Sequence, residues 1–127
     1  MTDTAIAAEN IRTVENYLKE YQFQSRLLRL DRYEREFFRV RNNATDSPSE
    51  QPLARAKMYE IRHFLMSLPN SDEKLLLYYH YIKGEPIERC AELLGLSRSS
   101  GFRLKKRALS IAAHHHQTYK NTAEGLS

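Results

Sequence analysis

The first forty residues carry apolar side chains at helical spacing. Two sets of four, each separated by three, four and three positions, recur there: Ile11, Val14, Leu18 and Tyr21, then Leu30, Tyr33, Phe37 and Val40. Such spacing places each set on one side of an α-helix. The sets are out of phase, and the change falls between Gln22 and Arg26, so one long helix or two helices are expected, with a kink, a stutter or a short turn there.

A helix of this length cannot bury both sets against one small domain. We therefore expect residues 1–41 to form an N-terminal helical segment that mediates self-association, most simply as a homodimer. Packing of the segment back onto the C-terminal helices is the alternative. The polar stretch at 42–52 has two prolines and no large apolar residue. It predicts a flexible linker, which places a C-terminal domain at 53–127.

The C-terminal part has four helical signals. Apolar residues from Met58 to Leu68 are spaced by three, four and three positions before Pro69, and the stretch LLLYYHYIK ends at Gly84. Pro86 suits the first turn of a short helix over Ile87 to Leu94, Gly95 suits a turn, and Ser97 suits the cap of a last helix that reaches about His115. The predicted fold class is therefore all-α.

A short helix, a glycine turn and a capped helix form the helix-turn-helix arrangement. Ala91 is small where the two helices must approach each other, and Gly95 follows four residues later. The apolar positions that would join the two helices are Cys90, Leu94, Leu96 and Leu104.

Composition and charge add an electrostatic signal. Hydrophobic residues make up 41% and charged residues 28% of the chain, which is ordinary for a globular protein. No run of about 20 apolar residues could span a membrane, and the N-terminus does not have the pattern of a signal peptide, so a cytoplasmic protein is expected. The net charge is only +4, yet residues 97–107 hold five basic residues and no acidic one. A nucleic-acid-binding surface and a solvated helix face explain this block equally well on charge alone.

Residues 68–109 resemble the fourth region of bacterial sigma factors, the part that reads the −35 promoter element. The matching residues are Leu68, Glu73, Tyr81-Ile82-Lys83-Gly84, Ala91, Gly95, Ser97-Arg98-Ser99, and Arg103-Leu104 through Ala108-Leu109. In size and layout the chain is similar to phage late-gene regulators of the ArpU and RinA type. The resemblance implies a phage or mobile-element transcription regulator with a sigma region 4-like helix-turn-helix, and contact with RNA polymerase. Gly101 departs from it, because sigma regions usually have a β-branched apolar residue there.

A helical wheel predicts which residues of the last helix meet DNA. Gly101, Leu104, Ala108 and Ile111 fall on one side and should face the core. The predicted DNA-binding residues are Ser97, Arg98, Ser99, Ser100, Phe102, Arg103, Lys106 and Arg107.

These residues are expected to divide their roles. Ser99 and Arg103 would read bases, because residues near the start of a recognition helix reach base edges and Arg pairs with guanine. Arg98 and Lys106 would contact phosphates. Phe102 would touch a thymine methyl group or pack on a neighbouring helix.

Little in the sequence supports metal binding or catalysis. Three consecutive histidines, His114 to His116, point about 100° apart on a helix and cannot converge on one metal ion. The single cysteine, Cys90, is expected to be a buried thiol. No phosphate loop, metal-ligand spacing or nucleophile motif is present, so we expect neither an enzyme nor a cofactor.

The function expected from the sequence is sequence-specific binding of double-stranded DNA. The alternative is a protein-interaction module with a sigma-like fold that docks on RNA polymerase or another regulator. Single-stranded nucleic-acid binding is a third interpretation, but no groove with interleaved aromatic residues is evident.

Overall fold

The chain folds into helices throughout the part that a computed structural model describes, residues 3–42, 51–69 and 71–125. The helices are α1 (Asp3–Asn42), α2 (Gln51–Met66), α3 (Asp72–Leu77), α4 (Ile87–Leu93) and α5 (Arg98–Gly125), and a π-helical turn, here called the π segment, covers Tyr78–Ile82 directly after α3. The predicted all-α class is confirmed for these residues. None of the helices described has an apolar stretch long enough to cross a membrane.

The region predicted as a linker has different limits at both ends. Asn42 is the last residue of α1, and Gln51 and Pro52 already belong to α2. Residues 43–50, the remainder of the predicted linker, lie outside the described residues. α1 itself is one uninterrupted helix of 40 residues, so the change of phase after Gln22 occurs within a continuous helix.

The first apolar set of α1 packs back onto the C-terminal helices. Val14 and Leu18 are completely buried, and they share the core with Ile61, Phe64 and Leu65 of α2. This is the packing that the sequence left as the alternative to self-association. The described residues of the second set, Leu30, Tyr33 and Phe37, are exposed instead; the side chain of Val40 lies outside the description.

Two polar side chains fasten α1 to the π segment. The amide Nε2 of Gln22 donates hydrogen bonds to the carbonyl oxygens of Tyr81 and Ile82, at 3.1 and 2.8 Å. These carbonyls lie at the end of a helical segment, where intrahelical donors run out. The hydroxyl of Tyr81 donates to the carboxylate of Glu15, which lies about two helical turns before Gln22 on α1. Among the described side chains of α1, Gln22 is the last one that makes a polar contact with the π segment.

The buried side of α5 is wider than the helical wheel predicts. Gly101, Leu104 and Ala108 are buried as expected, but Ile111 is 36% exposed, so the prediction that it faces the core is wrong. Ala112 and Ala113 are buried in its place. The reason is that α1 also packs along α5, and contact with a second helix rotates the interior side away from Ile111.

Candidate nucleic-acid interface

α4 ends in a tight turn that directs the chain into α5. The N–H of Leu96 donates to the carbonyl of Ala91 at 2.8 Å, and the N–H of Gly95 donates to the carbonyl of Glu92 at 3.1 Å. This pair of bonds is the Schellman motif, which needs a residue with positive φ at its centre. Gly95 has a φ of +71°, so its predicted role as the turn residue is confirmed.

Ser97 caps α5, as the sequence predicts. Its hydroxyl oxygen accepts a hydrogen bond from the N–H of Ser100 at 3.2 Å, and its carbonyl accepts one from Gly101 at 2.8 Å. The hydroxyl of Ser97 also donates to the hydroxyl of Ser100 at 2.9 Å. The hydroxyls of Ser97 and Ser100 are thus bound to each other in the first turn of α5.

α4 and α5 cross at a point where both side chains are very small. A Cβ atom placed on Gly101 would lie 2.8 Å from the Cβ of Ala91 and 3.6 Å from Cγ2 of Ile87. Because the first distance is shorter than a normal contact between carbon atoms, this crossing requires glycine. A β-branched side chain therefore does not fit at this position.

The side of α5 that faces away from this crossing is exposed and basic. Ser99, Phe102, Arg103 and Lys106 all lie on it with exposed side chains, as the helical wheel predicts. Phe102 does not pack into the core; its ring lies 5.8 Å from the guanidinium carbon of Arg98. We call Ser99, Phe102, Arg103 and Lys106 the exposed face of α5.

Acidic residues lie at the margins of this face rather than on it. Arg98 pairs with Glu88 of α4 at 3.4 Å, and Arg107 donates through Nε to Glu73 of α3 at 2.8 Å. Arg103 donates to the hydroxyl of Ser100 at 3.1 Å, and no ion pair of Lys106 is found among the described residues. These acidic partners could not be predicted from the sequence, because Glu88 and Glu73 reach the start of α5 only through the tertiary fold.

Two carboxylates hold basic residues of α5 in fixed directions. The hydrogen bond from its own backbone N–H lowers the pKa of Glu73; burial opposes this, and bonds from Ser71 and Arg107 add to the lowering. Burial disfavours ionised Glu15, but the hydrogen bond from Tyr81 and the charge of Lys105 outweigh it, so the pKa of Glu15 also lies below its usual value. Both carboxylates are ionised at neutral pH. Lys105 is therefore drawn toward α1, with its Nζ 3.6 Å from Glu15, and away from the exposed face.

A cleft of about 450 Å³ borders the exposed face. It opens between the start of α3 and the first turns of α5, and its lining residues are Asp72, Leu96, Ser100, Arg103, Leu104 and Arg107. Its charged wall consists mainly of two arginines of α5. The cleft is a shallow open surface, which suits a large ligand better than an enclosed small molecule.

The three histidines and the cysteine lie in different surroundings. His115 and His116 pack against Phe64, with ring centroids 5.8 and 5.3 Å apart, and Nε2 of His115 lies 3.0 Å from the hydroxyl of Ser67. His114 is exposed, so the three side chains point in different directions. Cys90 is a fully buried thiol, as predicted.

Comparison with known proteins finds no relative of this chain: no protein-family model, no curated protein and no solved structure matches it.

Proposed function

We propose that the protein is a transcription regulator that binds double-stranded DNA in a sequence-specific manner, with residues 97–110 as the recognition helix of a helix-turn-helix. The observation that carries this proposal is the sidedness of α5. Arg103 and Lys106 stand exposed on one side, while Leu104 on the other side is buried. An α-helix about 10–12 Å across fits the B-DNA major groove, which is about 12 Å wide.

The position of each side chain along α5 supports a division of roles. Ser99 and Arg103 lie in the first two turns, where a recognition helix comes closest to base edges. Arg103 offers two parallel donors that match O6 and N7 of guanine. Lys106 lies about 4.5 Å further along the helix, toward the phosphates at the groove edge. Phe102, exposed beside Arg98, would touch a thymine methyl group.

The ion pairs at the margins are compatible with phosphate binding. The Arg98–Glu88 pair is exposed on both sides, and such pairs stabilise a fold by only about 0–1 kcal/mol. Arg98 can therefore exchange Glu88 for a DNA phosphate at little cost. Arg107 is held more firmly, since the side chain of its partner Glu73 is 17% exposed, against 49% for Glu88. We therefore assign Arg107 a fixed phosphate contact and Arg98 an adjustable one, with Ser97 and Ser100 completing the helix start.

The test is selection of bound duplexes from a random pool by the full chain, followed by binding isotherms at several salt concentrations. A sequence-specific regulator enriches one motif, binds it more tightly than unrelated duplexes and shows a steep dependence on salt. If no motif is enriched and all duplexes bind equally weakly, the proposal is wrong.

A second candidate function is docking on a protein such as RNA polymerase. A specific feature favours it: Tyr59 and Met66 are exposed on α2 beside Tyr78, and Tyr59 stacks on His63 with ring centroids 5.9 Å apart. Aromatic residues and methionine are enriched in protein interfaces. Binding to purified polymerase that is lost in Tyr59→Ser, in a chain that shows no preference among duplexes, would favour this function over DNA reading.

A further inference from the structure

The second half of α1 carries an apolar strip that the rest of the described chain leaves exposed. From Arg29 to Phe37 no side chain is buried. Leu30, Tyr33 and Phe37 are 63%, 69% and 48% exposed, and Phe23 on the same side is 50% exposed. We call Phe23, Leu30, Tyr33 and Phe37 the distal stripe. Exposed apolar side chains in a continuous row are typical of an interaction surface.

The rest of the chain is badly placed to cover the distal stripe. α5 runs toward the N-terminal end of α1, where Nε2 of Gln117 lies 3.4 Å from Oδ1 of Asn10. At the helical rise of 1.5 Å per residue, Asn10 is about 35 Å from Tyr33. Residues 43–50, NATDSPSE, contain no apolar residue larger than proline. Another molecule is therefore expected to cover the exposed surface of the stripe.

The spacing of the stripe is that of a coiled-coil seam. Phe23, Leu30 and Phe37 recur every seven residues, as position a does in a heptad, and Tyr33 takes position d. Arg26 is the one charged residue at a described d position. From Phe23 to Asn42, the last residue of α1, the helix has room for about three heptads, which is the lower limit for a coiled coil.

The charges beside the seam select the partner and its direction. In this register Arg29 is at position g and Glu34 at position e. In a parallel, in-register pair of helices, position g of one helix faces position e of the other, five residues further on. Arg29 of each copy then meets Glu34 of the second copy, twice by symmetry. The sequence repeats the relation one heptad later with reversed signs, since Glu36 is at g and Arg41 at e.

We infer that the distal stripe joins two copies of this chain in a parallel coiled coil. The self-association expected from the sequence for residues 1–41 is thus assigned to residues 23–42, because the first apolar set of α1 is used in the core of its own chain. A parallel dimer places the C-terminal helices of both chains at the same end of the coiled coil. The inference does not depend on DNA binding, and its test contains no DNA.

Sedimentation equilibrium of the full chain from low to high micromolar concentration tests the assembly. We expect a monomer–dimer equilibrium. Leu30→Asp should raise the dimer dissociation constant by about 100-fold or more, because each of the two chains then places a charge in the apolar seam. The matched control is Leu53→Asp, the same change at an exposed leucine of α2 off the stripe, which should leave the dissociation constant unchanged. A monomer at all concentrations, or equal effects of the two variants, would overturn the inference.

A charge exchange tests the direction. Arg29→Glu and Glu34→Arg alone each put like charges opposite one another, and each should raise the dissociation constant about 3- to 10-fold. The double variant restores opposite charges only when g faces e of the second copy, so its dissociation constant should return to within about twofold of the parent. Circular dichroism checks that every variant keeps its helix content. Losses that add up in the double variant would refute the parallel register.

Discussion

Gly101 of α5 and Ala91 of α4 meet so closely that a Cβ atom on Gly101 would lie 2.8 Å from the Cβ of Ala91. The contact fixes how near α5 lies to α4, and with it how far the exposed face of α5 projects. Glycine inside a helix costs about 1 kcal/mol relative to alanine. The close crossing offsets that cost, since it lets Leu104 and Ile87 reach the same core.

Gly101→Ala should therefore destabilise the protein, although alanine is the better helix former. Overpacking of a core typically costs about 1–3 kcal/mol, and the gain in helix propensity returns about 1 kcal/mol. We expect a net loss of up to about 2 kcal/mol in the free energy of unfolding, measured by urea denaturation.

The exchange of the two residues is the control for this prediction. In Ala91→Gly/Gly101→Ala the added methyl group enters the space that the first change empties. The double variant should therefore be more stable than the sum of the two single changes predicts. A Gly101→Ala protein more stable than the parent would show that the helices separate without cost.

Gln22→Ala should weaken the attachment of α1 to the π segment. The change removes both hydrogen bonds to the carbonyls of Tyr81 and Ile82, and each such bond contributes about 0.5–1.5 kcal/mol. A loss of about 1–3 kcal/mol in the free energy of unfolding is expected from urea denaturation.

Gln24→Ala is the matched control for that change. In the described part of the chain the Gln24 side chain bonds to Glu20, one turn earlier on the same helix, at 2.8 Å. Its loss should cost less than about 0.5 kcal/mol. Equal effects of the two variants would mean that helix propensity, rather than the contact with the π segment, dominates.

Tyr81→Phe should lower stability in a pH-dependent way. Glu15, the acceptor of the Tyr81 hydroxyl, has a pKa below its ordinary value of 4.5, so its contribution to stability is complete above that pH and is lost as the pH falls through the folded pKa. Removal of a hydrogen bond to a charged group costs about 1.5–3 kcal/mol at neutral pH. The difference from the parent should shrink below about pH 4.5, where Glu15 becomes protonated in both proteins.

Urea denaturation at pH 7 and at lower pH values measures this difference. Tyr79→Phe is the control, because the Tyr79 hydroxyl has no hydrogen-bond partner in the described part of the chain. It should change stability by less than about 0.5 kcal/mol at every pH. A constant difference between Tyr81→Phe and the parent across the range would show that Glu15 does not carry the effect.

The periodicity of α1 predicted both apolar sets but could not tell which one the C-terminal helices cover. Both sets have the same spacing and similar side chains. The choice depends on tertiary contacts, such as those of Glu15 and Gln22, whose partners lie 66, 59 and 60 residues further along the chain. A sequence pattern contains no information on such distant pairs, so the exposure of Leu30 and Tyr33 emerged only from the fold.

The start of α5 was easier to predict because it depends on local packing. The cap at Ser97, the turn at Gly95 and the exposure of Arg103 follow from α4 and the turn alone. Ile111 lies further along α5, where α1 also packs, and there the helical wheel failed. The ion pairs of Arg98 and Arg107 likewise required neighbours from other helices.

Arg103→Ala and Lys106→Ala should separate base reading from charge in the proposed DNA complex. Arg103→Ala should cost about 1–3 kcal/mol on the preferred duplex and relax the preference at one base pair. Lys106→Ala should weaken all duplexes about equally and reduce the salt slope by about one unit. Both side chains are exposed on the same face. The expected difference between the two variants therefore comes from their positions along α5 and not from their accessibility.

Lys105→Ala is the matched control for both changes, because it removes the same charge one residue earlier than Lys106. Lys105 is drawn toward α1 by Glu15, so its loss should leave both the base preference and the salt slope nearly unchanged. Isotherms on matched and mismatched duplexes at several salt concentrations measure all three variants. If Lys105→Ala weakens binding as much as Lys106→Ala does, only the total charge of α5 matters. If neither Arg103→Ala nor Lys106→Ala differs from the parent, the exposed face of α5 does not bind DNA.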